Sequence, residues 1–439
     1  MDDTTWMIHG LPVLGGLLGL LCLWAGGRKG FKRRLVDHIP TSKTTGVFIG
    51  LVEVQGTAEA ERPLVSHLAG RQCVHYGWSV EERWSRTVTE TYTDSKGKRR
   101  TRTRRESGWR NVAQGGSMIP FYLKDDLGVI LVRPEGADIQ HDGLFQHTCG
   151  RSDPLYYGKG PALAVANSDH RRRFREWGVP LHAPLYVIGQ AREREDVVAP
   201  EIAADSRAPM FVISTRSRDQ VSRGFALWQW GFKFIGLALV VGGVFGWQHA
   251  TDSTGNPTPP VAAGAVYLAA AVIGWIWMAY NSLVDLRNRV RQAWAQVDVQ
   301  LKRRHDLIPR LASVVEGLRG HEQDTQRALA EMRGQMRATG PGEPGEDHHG
   351  VGATLIALEE KHPELVANDA FMQLEKNLLD TENRIALARG YFNEIATHYN
   401  TRLEVIPDKF VARLGRMKPR PLMAAAEFER KEVRVNLAD

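Results

Sequence analysis

Apolar residues form three long runs along the chain, and each run has about twenty residues, the length that a helix needs to cross a bilayer. The runs cover residues 8–27, 226–247 and 261–280. The first and third carry no charge, and the second contains only Lys233, whose long side chain can reach the interface. Trp residues lie near the ends of the runs, as interfacial aromatics do. The pattern predicts three transmembrane helices.

Lysine and arginine are distributed unevenly around these runs. No basic residue is present in MDDTTWM before the first run, whereas RKGFKRR follows it. The loop QHATDSTGNPTPP, between the second and third runs, also lacks Lys and Arg. Basic residues favour the cytoplasmic side. We therefore expect an integral protein of the cytoplasmic (inner) membrane, with its N-terminus outside and both large soluble segments in the cytoplasm.

The first soluble segment, residues 35–225, consists of short β-type runs separated by Gly, Pro and charged residues. Examples are GVFIGLVEVQGTA, CVHYGWSVEERW, LGVILVRP and LYVIGQA. Several of them alternate apolar and polar residues. This pattern predicts a mostly β domain with a few helical insertions, such as His170 to Trp177.

The second soluble segment, residues 281–415, continues from the third apolar run without a turn residue. Apolar side chains recur at spacings of three and four, the stripe of a bundle or coiled-coil helix. They are Leu283, Leu286, Val290, Ala293, Val297 and Leu301, and arginines occupy the outer positions between them. Span and helix are expected to form one rod at least as far as Pro309, where a kink is predicted.

A second long helix is predicted from the N-cap Asn368 to Glu404, and Pro407 ends it. Its stripe is the most regular in the chain: Phe371, Leu374, Leu378, Thr381, Ile385, Ala388, Phe392, Ile395 and Tyr399. Two shorter helices and the Gly/Pro-rich loop Thr339 to Gly352 lie between the long ones, and residues 416–439 form a tail. The predicted fold class is therefore an α+β membrane protein with three transmembrane helices, a mostly β cytoplasmic domain and an antiparallel helical bundle.

Composition narrows the choice of partners and sites. The 439 residues carry a formal net charge of +7, which allows nucleic acid, anionic lipid or an acidic protein as partner. Three cysteines, Cys22, Cys73 and Cys149, fit neither a disulfide framework nor a zinc site. The adjacent His348 and His349 could bind a metal, but a solvated loop is the simpler interpretation.

One short segment, Ser95 to Ser107, is strongly basic. It holds Lys96, Lys98, Arg99, Arg100, Arg102, Arg104 and Arg105 between two β-type runs. A hairpin with its turn at Ser95 to Lys98 would present these side chains as a two-sided basic finger. The segment could be a solvated loop, could bind anionic lipid, or could bind an acidic protein or nucleic acid. Among partners we favour anionic lipid, because the domain is tethered at both ends beside the negatively charged cytoplasmic leaflet. Nucleic acid is disfavoured, because the segment lacks the interleaved aromatic residues of a base-stacking surface.

Catalytic motifs are not found in the sequence. His321-Glu322 begins like a metalloprotease motif, but Thr325 stands where the second histidine is required. A phosphate-binding loop, a nucleophile elbow and a dinucleotide-binding fingerprint are also missing. We expect no catalytic residue, no cofactor and no metal site.

The C-terminal half resembles the LemA family. The resemblance rests on YNSLVDLRNRVRQAWAQVDVQLKRRHDLIPRL, on HPELVANDAFMQLEKNLLDTENRIALARGYFNEIATHYN and on the MKPRP that follows. It implies a membrane-anchored helical bundle with no established catalytic activity. It also implies mainly structural roles for Asn281, Arg287, Trp294, Asp306, Pro309, Asn368, Glu382, Arg384, Tyr399 and Asn400.

The N-terminal half resembles the GIDE domain, known from a mitochondrial membrane-bound ubiquitin ligase. The resemblance rests on GLVEVQGTAEAERPLVSHLAGRQCVHYGWSVEER, PFYLKDDLGVILVRPEGA and LYVIGQA. The matching positions are Arg62, Pro63, Leu64, Gly70, Cys73, Tyr76, Asp126 and Pro134. In the ligase, ubiquitin transfer belongs to a separate RING finger with about eight clustered Cys/His zinc ligands. The last cysteine of this sequence is Cys149.

Two function classes remain. The favoured one is a non-enzymatic membrane scaffold that forms homo-oligomers or docks a membrane or cytoplasmic protein through its bundle, and uses the β domain for recognition at the membrane surface. The alternative is an enzyme or adaptor of a ubiquitin-like transfer system, as the GIDE resemblance implies.

Overall fold

The computed structural model describes residues 3–93, 98–194, 199–206, 208–251, 253, 255–319 and 368–423. It contains two compact units: a β unit, Thr41–Arg218, and a helical unit, made of Met1–Pro40 and Asp219–Asp439. Several predictions lie outside the described residues. They concern Lys96, His321-Glu322, the two shorter helices, the loop with His348 and His349, and the tail beyond Met423.

Thirteen strands are described in the β unit. They are β1 (Thr41–Ser42), β2 (Gly50–Glu59), β3 (Leu64–Val65), β4 (Gln72–Thr93), β5 (Arg99–Met118), β6 (Phe121–Lys124), β7 (Val129–Val132), β8 (Asp138–Gln140), β9 (Asp142–Gly150), β10 (Ser168–Pro180), β11 (Pro184–Glu193), β12 (Pro200–Ala203) and β13 (Val212–Ser214). A 3₁₀ turn, Thr44–Gly46, and the short helix α2 (Pro154–Gly158) are also present. The prediction of a mostly β domain is confirmed.

Five strands of this unit close into a barrel. The ring runs β2-β6-β7-β12-β11, and β11 pairs back onto β2. If these five strands are numbered by their order in the chain, they follow one another around the barrel as 1-2-3-5-4. The third strand, β7, and the fifth, β12, are parallel. That connectivity is the one of the OB-fold barrel. Inward side chains such as Val54, Val132, Val187 and Ile202 are almost completely buried and form its core.

The second sheet is built from the chain inserted between barrel strands. β3, β4 and β5 lie between the first and second barrel strands, and β9 and β10 lie between the third and fourth. The sheet runs β3-β4-β10-β9, and β5 pairs with β4. The prediction of a helix at His170 to Trp177 is wrong, because this stretch belongs to β10 and pairs on both sides. Its burial alternates with period two, so that Arg172, Phe174 and Glu176 point inward.

The helical unit contains α1 (Asp3–His38), α3 (Arg218–Ala250), α4 (Thr258–Arg319), α5 (Asp369–Glu404) and α6 (Asp408–Leu414) among the described residues. Three stretches are long and apolar enough to cross a membrane: Gly10–His38, Arg218–Ala250 and Thr258–Val315. The three predicted apolar helices are therefore present. All of them continue as helix beyond the apolar runs.

Glycines allow α1 and α3 to approach each other closely. A Cβ atom at Gly15 would lie 2.6 Å from the carbonyl oxygen of Leu239, and one at Gly243 would lie 2.8 Å from that of Leu11. Both distances are too short for a real contact, so any larger residue would push the helices apart. Small residues at helix contacts are a common packing device in membranes. The α1–α3 contact is thus specified by glycine.

Helices α4 and α5 pack antiparallel, and their stripes meet as predicted. Near one end of the contact, Ile308 and Leu311 pack with Phe371 and Leu378, and further along Trp294 meets Phe392 at 5.8 Å between ring centres. The Asn368 side chain caps α5 by accepting hydrogen bonds from two backbone N–H groups. The predicted N-cap and the predicted end at Glu404 are both confirmed.

The α-helix continues through Pro309 to Arg319, and the kink at Pro309 stays a prediction. One detail of this helix pair differs from the expectation. The arginines are not all on the outside, because Arg304 is buried and its Nε lies 3.1 Å from Glu382 Oε1. The apolar stripe of α4 alone could not predict that Arg304 is buried. A charged residue at a stripe position is buried only where the other helix provides an oppositely charged partner, here Glu382.

Candidate functional site

The predicted basic finger is an antiparallel hairpin of β4 and β5. β4 pairs with β10 from Cys73 to Trp84, but with β5 from His75 to Thr93. Beyond Trp84, β5 is the strand that continues to pair with β4. Each strand therefore extends by nine residues, Ser85–Thr93 and Arg99–Ser107, as a two-stranded ribbon about 30 Å long. We call residues 85–107 the basic hairpin.

The ladder register decides which side chains share a face. Opposite residues of an antiparallel pair point to the same side. Arg100, Arg102 and Arg104 are opposite Tyr92, Glu90 and Val88, on one face. The other face carries Arg99 and Arg105, together with Thr87, Thr89, Thr91, Thr93, Thr101 and Thr103. Arg86, opposite Glu106, lies on the first face, so arginines lie on both faces, four on one and two on the other.

All predicted finger residues that the structure describes are exposed. They are Lys98, Arg99, Arg100, Arg102, Arg104 and Arg105. Of the predicted turn, Ser95 to Lys98, the structure describes Lys98, and the other three residues lie outside the described ranges. Arg86 on β4 adds a basic side chain that was not among the predicted residues, because the sequence places it outside the charged run.

Acidic side chains compensate charge at the base of the hairpin. Glu106 lies 2.8 Å from Arg86 and 3.7 Å from Arg104. Asp169, at the start of β10, lies 3.3 Å from Arg83 and 4.0 Å from Arg105. The positive charge of the hairpin is therefore concentrated toward its tip.

A buried ion pair fixes the sheet from which the hairpin extends. Arg172 on β10 and Glu82 on β4 are both fully buried, and Arg172 Nη2 lies 3.1 Å from Glu82 Oε2. The other carboxylate oxygen accepts hydrogen bonds from Tyr156 (2.8 Å) and Ser168 (2.5 Å). Arg172 also donates to the backbone carbonyls of Tyr156, Pro161 and Leu163. This network ties β4, β10 and the loop after α2 together.

Hydrogen bonding controls the charge of Glu82. Burial by itself would raise the pKa of Glu82, but the hydrogen bonds from Ser168, Tyr156 and Arg172 outweigh it, so that the pKa is lowered from its ordinary value. Glu82 is therefore ionised at neutral pH and pairs with the Arg172 cation. This pair could not be predicted from the sequence, because both residues occur in charged stretches typical of a surface.

The cysteines of the β unit are structural. Cys73 and Cys149 are both buried and free. Burial, followed by the nearby Glu176 carboxylate, raises the pKa of Cys73 to about 11, and burial also raises the pKa of Cys149. A thiol of this kind is a poor nucleophile at neutral pH. Within the described ranges, no group of three or more His, Cys, Asp or Glu is placed to hold a metal ion.

Several residues implied by the LemA resemblance have structural contacts. Arg384 pairs with Asp380 at 2.9 Å, one turn away on α5. The hydroxyl of Tyr399 donates to the carbonyl of Lys418 at 3.1 Å. Asn400 bonds the backbone of Arg420. Asn281 and Asp306 are exposed, and Arg287 is half-buried.

These features define a two-part protein, in which a β unit with a basic hairpin and a helical unit with three membrane-length helices share one chain. The model of the LemA family matches residues 293–437, and the model of the GIDE family, described as E3 Ubiquitin ligase, matches residues 89–246. The chain thus combines a LemA family segment with a GIDE segment, and both resemblances are confirmed. Comparisons with curated proteins and with solved structures gave no match.

Proposed function

We propose that the protein is a non-enzymatic scaffold of the cytoplasmic membrane. Its N-terminus lies outside, and both the β unit and the α4–α5 pair lie in the cytoplasm. The α4–α5 pair belongs to a helical bundle through which copies assemble or partners dock. The β unit recognises the membrane surface. The observation that carries this proposal is the exposed, arginine-rich hairpin.

Charge and chain connectivity support anionic lipid as the ligand of the hairpin. The chain passes from the β unit directly into an apolar helix at both ends, at His38 and at Arg218, so the unit stays close to a bilayer. A cytoplasmic leaflet is negatively charged, and each basic side chain near it contributes about 1 kcal/mol. The position of the hairpin supports a binding role but does not favour lipid, because the loop between the first two strands of an OB-fold barrel commonly binds oligonucleotides or oligosaccharides.

Removal of charge from the hairpin tests this proposal. Full-length protein is reconstituted into nanodiscs of neutral lipid, and its binding to separate vesicles with and without phosphatidylserine is measured by flotation. Replacement of Arg99, Arg100, Arg102, Arg104 and Arg105 by Ser is expected to weaken binding to the anionic vesicles at least tenfold, because several contributions of about 1 kcal/mol are lost. Binding by the unaltered protein should fall as salt is raised, since salt screens exposed charges.

A matched variant separates charge from shape. The same five positions changed to Lys keep the charge, and this variant should bind anionic vesicles nearly as the unaltered protein does. Equal binding by the Ser and the unaltered proteins would show that the hairpin is a solvated ribbon. Binding to single-stranded RNA in preference to vesicles would instead assign the hairpin to nucleic acid.

The GIDE match favours a second candidate, an adaptor of a ubiquitin-like transfer system. The family model is described as E3 Ubiquitin ligase, and it covers residues 89–246. Cys149 lies within that range and Cys73 lies just before it. Both cysteines are buried, which argues against a ubiquitin thioester on the β unit. If purified full-length protein accelerated discharge of ubiquitin from a loaded conjugating enzyme, this second function would replace the scaffold.

A further inference from the structure

Two asparagines on α5 hold an extended segment of the chain by its backbone. Asn400 donates to the carbonyl of Arg420 at 2.7 Å and accepts from its N–H at 2.8 Å. Asn393 does the same with Met423, at 3.1 Å and 2.8 Å. Tyr399 adds a hydrogen bond to the carbonyl of Lys418. We call Asn393 and Asn400 the clamp, and residues 418–423 the clamped segment.

The spacing of the clamp matches the repeat of an extended chain. Seven residues separate the asparagines, which is two helical turns or about 10.5 Å along α5. Three residues separate the bonded positions Arg420 and Met423, which is about 9–10 Å of extended chain. Each asparagine contacts backbone atoms alone, so the clamp recognises an extended conformation more than a particular side chain.

The prolines of the clamped segment fit this arrangement. The N–H groups that the clamp uses belong to Arg420 and Met423, so the missing N–H groups of Pro419 and Pro421 cost no hydrogen bond. Proline also disfavours helical backbone in the residue before it, here Lys418 and Arg420. The two prolines therefore favour an extended segment before it binds. The MKPRP motif thus has a physical explanation.

Side-chain contacts complete a groove around the segment. Met423 is buried, with 7% of its surface exposed. Pro421 borders a cavity of about 320 Å³ that is lined also by Val290, Trp294 and Phe392. The groove therefore has backbone-directed hydrogen bonds along one side and an apolar depression beside Pro421, as a peptide-binding groove does.

The connection to the clamped segment is short. Helix α6 ends at Leu414, and Arg416 adopts a left-handed backbone conformation with φ of 50°. This conformation is unfavourable for a residue with a Cβ atom. Short connections under strain favour exchange of a segment between copies, because release in one chain is followed by binding in another.

We infer that the clamp is a peptide-binding site, filled here by the chain's own residues 418–423, and that it also accepts the same segment of a second copy. The inference deepens the proposed scaffold role and rests on it for the assembly of copies. The second copy is the expected occupant, because its segment has the identical backbone pattern and prolines. Membrane anchoring raises the local concentration of such copies.

Two complementary full-length variants test the exchange. In the first, Asn393→Ala and Asn400→Ala remove the clamp but leave the segment. In the second, Arg420→Pro and Met423→Pro remove both N–H groups that the asparagines bind, which leaves the clamp open. The two proteins carry different tags, and capture of one by the other is measured in mild detergent. We expect at least tenfold more capture in the mixture than between two copies of either variant, because only the mixture pairs an open clamp with a free segment.

Controls make each outcome decisive. Asn383→Ala, an exposed position on the same helix, should behave as unaltered protein. If the double Pro variant misfolds, Arg420→Pro alone serves instead, since it removes the N–H that Asn400 binds. Background capture in the mixture, with both variants folded by circular dichroism, would overturn the inference. If all combinations capture equally, copies assemble through another surface, and only the exchange fails. If unaltered chains are monomeric in nanodiscs, the self-assembly part of the scaffold proposal fails even where the mixture captures.

Discussion

Glu53 and Glu82 are both buried in the β unit, but their surroundings have opposite effects on ionisation. Burial is the largest influence on Glu53, and it raises the pKa despite the nearby Arg218 and the hydrogen bonds from Thr41 and Tyr186. At Glu82 the hydrogen bonds prevail and the pKa is lowered. Because the pKa of Glu53 is raised, its ionisation lowers the free energy of unfolding as pH rises. Because the pKa of Glu82 is lowered, its ionised form increases the free energy of unfolding.

Arg172 is expected to be the most sensitive single residue of the β unit. Arg172→Met leaves the Glu82 carboxylate buried without its cation, which should cost about 3–5 kcal/mol in unfolding free energy. The double variant with Glu82→Leu should cost less than the sum of the two single changes. Tryptophan fluorescence during unfolding of the full-length protein in detergent gives these values.

Two controls accompany this cycle. Arg175→Met, on the same strand, removes a partly exposed partner of Glu81 and should cost about 0–1 kcal/mol. Below pH 4.5, the ordinary pKa of the carboxyl, the contribution of Glu82 should be lost as pH falls through its lowered pKa. Glu82→Gln should reduce this loss. Equal costs for Arg172→Met and Arg175→Met would show that the buried pair is not needed.

The hairpin arginines could be predicted from sequence, whereas the buried pair could not. The high density of charged residues between two β-type runs is sufficient to predict an exposed segment there. Arg172 belongs to RRRFRE, where charge hides the alternation of a strand, and its partner Glu82 is 90 residues away in the chain. Only strand pairing brings the two together. The same concealed alternation led to the wrong prediction of a helix at His170 to Trp177.

At the scale of elements, α4 carries both an apolar membrane-length stretch and one side of the α4–α5 contact. Its 62 residues correspond to a rod about 93 Å long. Ala279 and Leu283, on either side of the predicted membrane boundary, pack in one cluster with Val411 and Ala412 of α6. The sequence predicted the unbroken helix from its stripe. It did not predict the α6 contact, because a seven-residue helix has too few turns to show a periodic stripe.

A flexible insertion tests whether this continuity is structural. Gly-Gly-Ser-Gly-Gly after Asn281 would separate Ala279 from Leu283 and so divide the cluster with α6. We expect the thermal midpoint of the helical unit to fall by about 5–10 °C, as for the loss of a large buried side chain. The same insertion after Gly255, in the loop between α3 and α4, should leave the midpoint unchanged. An unchanged midpoint for both insertions would mean that the helix merely leaves the membrane there.

For the whole molecule, the sidedness of the membrane helices depends on where lysine and arginine lie in the chain. The three apolar helices are present, and the short loop between α3 and α4 has no basic residue. Basic residues follow the first and third apolar runs and precede the second. The sequence is sufficient to predict the orientation of the three helices, because Lys and Arg near the ends of a span stay on the cytoplasmic side of the membrane.

Cysteine labelling from outside intact cells tests the orientation. Gly255→Cys should react with a membrane-impermeant maleimide, whereas Lys98→Cys and Lys302→Cys should react only after permeabilisation. The native Cys73 and Cys149 are buried, and Cys22 lies within the first apolar run, out of reach of an impermeant maleimide, so the unaltered protein is a low-background control. Reaction of Lys98→Cys in intact cells would contradict the three-span arrangement. It would also remove the basis for lipid recognition by the basic hairpin, because the anionic leaflet that attracts arginines is the cytoplasmic one.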